Sequence, residues 1–141
     1  MRRTALVTAC LLAFTPLPAL AQAQAQPAPS DNVLPDVPPA QWKLLSISAA
    51  RCGGLHEALA QHAKRVEPDT APNIEGRARA YRSVAFQAAQ RNGPEPAAVE
   101  KELETARSQA TEVLAQDSPL YRMWLEPCRE VLTMAKSMGL E

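Results

Sequence analysis

Large rings are scarce in this chain, which holds two Trp, two Tyr and two Phe among 141 residues. An interior made without them must be assembled from small aliphatic groups, so its elements lie close together and its core is thin. Charge of one sign is also missing, because 15 basic residues face 15 acidic ones. That balance gives no basis for a nucleic-acid partner, whose binding needs a clear positive excess. No Cys-x-x-Cys-His occurs, which excludes haem attachment of the c type. Phosphate-cradling glycine loops, a nucleophile elbow and a locally supported Ser-His-Asp order are likewise absent. No segment alternates like a strand. The expectation is therefore a non-enzymatic chain without a cofactor, whose small body has little room to enclose a pocket.

The first 21 residues read as a targeting signal. Arg2 and Arg3 form a positive start, Ala5 to Phe14 is apolar, and Ala19-Leu20-Ala21 sets small residues where a signal peptidase reads them. Cleavage is expected between Ala21 and Gln22. Pro16 and Pro18 break the apolar helix just before that point. The alternatives are an N-terminal anchor in the inner membrane, which those prolines oppose, and a lipoprotein at Cys10, which stands too near Arg3 to follow a full apolar region. Cleavage takes two of the 15 basic residues and none of the acidic ones, leaving a net charge of about −2. The expected location is the periplasm, with no stable membrane insertion after cleavage.

Export decides the cysteine chemistry. Cys10 leaves with the signal, and the remaining pair, Cys52 and Cys128, enters a compartment where disulfides form and persist. A bridge between them is expected. Residues 22–41, rich in Gln, Ala and Pro, read as a disordered arm, a frayed N-terminus, with the Val33-Leu34-Pro35-Asp36-Val37-Pro38-Pro39 stretch as an extended peptide that docks on a partner the alternative.

Residues 42–141 read as the helical domain. Apolar steps of three and four place one helix over about 41–66 on the stripe Leu45, Ser48, Cys52, Leu55, Leu59, His62 and Val66. A second spans about 73–91 and stops at Asn92-Gly93-Pro94, a left-handed cap followed by a residue that cannot continue. The third, 95–116, buries Val99, Leu103, Ala106, Ala110 and Val113. The last starts at Ser118-Pro119 and carries Tyr121, Trp124, Cys128, Val131, Ala135 and Met138, with Pro127 forcing a kink or break. These elements specify an all-α fold, a small four-helix up-down bundle with a kinked last helix and one disulfide joining first and last helices.

Several constellations invite a functional reading. His56 and His62 lie six apart, so their rings point about 120° from one another and cannot share a metal as a zinc-protease helix requires; both are expected at solvent or at an interface. Cys52 and His56 are four apart, and with Cys128 they form the alternative reading, a periplasmic thiol or metal-binding protein. Gly53 and Gly54 in mid-helix cost about 2 kcal/mol against alanine. Ser46, Ala50, Gly54 and Ala58 supply the compensation, a ridge of small side chains on which another helix can lie, in the bundle or in a partner. Arginines dominate the second helix and glutamates the third, which makes the two mutually attractive.

Ala49-Ala50-Arg51-Cys52-Gly53-Gly54-Leu55 with the later Tyr121 and Cys128 resembles a layout of short exported helical proteins of proteobacteria without an assigned activity. The likeness covers the first and last helices and carries over no functional residue. Size, compartment and a single bridge are also similar to acid-stress periplasmic chaperones of the HdeA type, though none of their motifs is matched. What these resemblances imply is a non-catalytic interaction module that binds a protein partner or client, or itself.

Overall fold

The sulfurs of Cys52 and Cys128 meet at 2.02 Å in the computed structural model, which describes residues 36–116 and 118–140. Cys10, the cleavage site at Ala21 and Gln22, and the arm up to Pro35 lie outside the described residues. Five helical segments follow one another, α1 (Pro39–Val66), α2 (Ala71–Gln90), α3 (Pro96–Ala115), α4 (Leu120–Leu125) and α5 (Cys128–Ser137). No strand occurs among the described residues. The chain is thus the expected all-α four-helix bundle, its last helix interrupted into α4 and α5. Glu126 and Pro127 keep helical torsions at that interruption. Pro127 breaks the ladder because it has no N–H to donate.

Helix ends follow local chemistry. α1 starts at Pro39, where the fixed φ of proline suits a first turn, so residues 39–41 belong to the bundle rather than to the expected arm. Val37 already packs on the core. α2 ends through Asn92 at φ 96°, the left-handed cap its sequence called for. After α5, Gly139 turns left-handed at φ 80° and the Leu140 N–H returns to the Ala135 carbonyl at 3.0 Å, folding Leu140 into the interior.

α1 is the axis of the bundle. It packs along both α2 and α3, while α2 and α3 touch little. Lys64 pairs with Glu75 and the Ser46 hydroxyl donates to the Ala85 carbonyl at 2.9 Å, so α2 runs antiparallel to α1. Arg51 pairs with Glu102 and Glu57 with Arg107, so α3 runs parallel to it. The two glycines make this double contact possible. A Cβ on Gly53 would stand 2.8 Å from the Leu103 side chain, and one on Gly54 would overlap the Leu103 carbonyl oxygen and lie 2.9 Å from the Arg107 backbone nitrogen. Ser46, Ala50, Gly54 and Ala58 are all buried, so the small-residue ridge is spent inside the bundle.

Several expectations need correction. Ala106 and Val113, expected in the interior of the third helix, are half-buried, and Leu114 takes the buried place at its end. Val66, counted in the buried stripe of the first helix, is exposed because it closes α1 beyond the end of the core. Trp124, counted in that of the last, is 40% exposed. The attraction between the second and third helices runs partly through α1: Arg82 pairs with Glu100 directly, yet Arg82 and Arg107 both also reach Glu57, at 3.5 and 3.9 Å. No described helix is long and apolar enough to cross a membrane.

Candidate functional site: a groove between α3 and α5

The disulfide lies between two places where chemistry-bearing side chains come together. On its inner side, His56 is buried, with its ring 4.8 Å from that of Tyr81. This corrects the expectation of a histidine at the surface; the sequence stripe had one buried face, whereas α1 is covered on several. A carbonyl can only accept, so the His56 Nδ1–H donates to the Cys52 carbonyl, 2.8 Å away. The Tyr81 hydroxyl donates to the Cys128 carbonyl at 2.8 Å. Burial first, and Arg77 as a nearby positive charge, hold His56 below the usual imidazole range, opposed by its bond to Cys52. Burial pushes the Tyr81 phenol up. His62 lies elsewhere on α1, with a buried Nδ1 that finds no hydrogen-bond partner among the described residues.

The thiol and metal reading meets this geometry directly. Both sulfurs are bonded to each other, so neither is a thiolate able to attack or to ligate. His56 directs its Nδ1 to a backbone carbonyl. Among the described residues no three His, Cys, Asp or Glu side chains gather as a metal would need.

On its outer side the disulfide lies at the bottom of an open groove of about 780 Å³, more room than so small a body was expected to offer. Its origin is topological. α5 leans on α1 and α2 and makes no contact with α3, which only α4 of the last two segments touches, so among the described residues a gap opens over α1 between α3 and α5. Three helical stripes line the gap. α1 presents Leu44, Ser48, Arg51 and Leu55, and α3 presents Glu102, Thr105, Ala106 and Gln109. Across from them the last helix presents Met123, Trp124, Glu130 and Met134.

Among the described residues, most of the exposed large apolar side chains border that groove. Met123 is 69% exposed, Leu44 60%, Trp124 40% and Met134 38%. Large apolar groups gathered in one exposed cleft make it the candidate site of this fold. Of the charged groups lining it, Arg51 and Glu102 pair with each other, whereas Glu130 has no ion pair among the described residues. The sequence placed Trp124 in the core and passed over Leu44, Met123 and Met134; the signal available was that these last three are large apolar residues outside the buried stripes of their helices. No family model matches the chain, and no curated protein or solved structure is significantly similar to it.

Proposed function

We propose that this protein is a non-catalytic periplasmic interaction module that holds a protein partner or client in the groove between α3 and α5. The carrying observation is the open apolar cleft lined by Leu44, Met123, Trp124 and Met134. Methionine suits that task, because an unbranched, polarisable side chain adapts to apolar partners of differing shape. The small-residue ridge, the other surface considered for a partner, is already occupied within the bundle. Export rests on Arg2, Arg3, the apolar run and the small residues before Gln22, and a disulfide suits an oxidising compartment.

The test places a photo-crosslinking residue at Met123, or at Arg79 on a different face, in cells exporting the full chain. Discrete adducts from position 123 that are absent from position 79 are the expected result. No adduct at position 123, or the same pattern at both, overturns the proposal. Intact mass of the exported protein without reductant tests the compartment, with cleavage after Ala21 and one bridge expected; a retained signal would support the anchored alternative.

A further inference from the structure

We infer that the groove takes an amphipathic helix of about three turns from a partner protein, carrying a lysine or arginine that meets Glu130. This rests on the reading of the groove as a partner site and adds the chemistry of the occupant. Length comes first. The α1 stripe runs from Leu44 to Leu55, which at a helical rise spans about 16 Å, or three turns. The walls are ridges of side chains at helical spacing, and ridges of that kind accept the ridges of another helix. An extended segment would bring unpaired backbone N–H and C=O groups against the apolar wall, whereas a helix satisfies its own.

Charge then selects the polar edge of the occupant. Arg51 is engaged by Glu102, and Glu130 is the lining charge left outside an ion pair among the described residues. It stands one turn before Met134, on the apolar wall. A lysine or arginine on the partner can lay its methylene stem on that wall and bring its cation to the Glu130 carboxylate. An acidic residue there is repelled. The chain's own residues 22–35 contain no lysine or arginine and several prolines, so they match neither the charge nor the helical form of this occupant.

The test uses the full chain with its bridge intact and three synthetic peptides of 14 residues, followed by amide NMR. The first has leucine along one helical face and lysine at its flanks; the second replaces each lysine by glutamate; the third scatters the leucines of the first around the helix. The lysine peptide should shift groove amides and bind about fivefold more tightly than the glutamate peptide, the scale of one rim ion pair gained in place of a repulsion. Glu130→Lys should reverse that order, and Glu130→Gln should level it. Equal binding of the first two peptides, or a preference unchanged by both substitutions, removes the cation assignment while leaving the partner site standing. Equal binding of the scattered peptide removes the helix. Failure of every peptide to shift groove amides, while crosslinks still form at position 123, likewise overturns the helix; failure of both overturns the partner site itself. A chain that dimerises alone and becomes monomeric on Met134→Lys has a second copy as its occupant, and the inference falls.

Discussion

The Tyr81 hydroxyl donates to the Cys128 carbonyl at 2.8 Å, on the residue whose sulfur is bonded to Cys52. One point of the interior thereby ties together α1, α2 and the start of α5. Tyr81→Phe keeps the ring against His56 and removes only the hydroxyl, so it isolates this bond. The expected loss is about 1 kcal/mol of unfolding free energy, the usual net worth of a hydrogen bond in a folded chain. A urea titration reads it as a lower midpoint with an unchanged slope. An unchanged midpoint would mean that α5 is held by the disulfide and apolar contacts alone.

Removing the bridge should act on a larger scale. Cys52 and Cys128 are 76 positions apart, and closing a loop of that size restricts the unfolded chain by about 4.5 kcal/mol on the chain-entropy model. Against a typical domain stability of about 5 to 15 kcal/mol, Cys52→Ala with Cys128→Ala should leave a marginal fold. α5 should detach before α1 to α3 do, because those three helices share the longer seams. Hydrogen exchange checks this order, with amides of residues 128–137 expected to exchange far sooner than those of α1. Uniform loss of protection would show that the four helices unfold as one.

The two kinds of mid-helix glycine should respond with opposite sign. In Gly54→Ala, a gain of about 1 kcal/mol in helix propensity is outweighed by overpacking against the α3 backbone, which costs about 1 to 3 kcal/mol and cannot be relieved by a side-chain rotation. Gly76 has nothing within 4 Å of the place a Cβ would take, so Gly76→Ala should stabilise by about 0.5 to 1 kcal/mol. Thermal melts of the two variants should bracket the parent. A stabilised Gly54→Ala would show that α3 can move away from α1.

This contrast marks where sequence and structure part. Steps of three and four, the Asn92-Gly93-Pro94 stop and Pro127 are local signals, and the helices they delimit agree with the observed ones to within about two residues. Gly53 and Gly54 also announced a close approach. Which helix would approach was not written locally, and a single buried stripe on the first helix could not foretell that α2 and α3 would cover it from two sides. The groove was less legible still. It is a gap between α3 and α5, and a gap is a property of how far apart two segments settle, which periodicity within each does not encode. Trp124 shows the consequence, since its position in the last helix is that of a core residue while its neighbour across the gap is solvent.

His56 supplies the pH dependence, and its sign follows from its surroundings. The ring is buried against Tyr81 of α2, its Nδ1–H is committed to Cys52 of its own helix, and Arg77 of α2 is the charged group acting on it. Desolvation, with the repulsion of Arg77, keeps the folded-state value below the unfolded one of about 6.5. Between those two values the unfolded chain binds a proton that the folded chain does not, so stability rises with pH there. The contribution is therefore fully present above about pH 6.5 and is lost as the pH falls through the folded value. Urea midpoints measured from pH 7.5 down to 4.5 should decline for the parent. In His56→Gln, whose side chain does not titrate, the part of the decline that begins near pH 6.5 should vanish, leaving the carboxylate contribution at lower pH. Identical slopes for parent and variant across that window would mean that His56 takes up its proton without disturbing the seam beneath the disulfide.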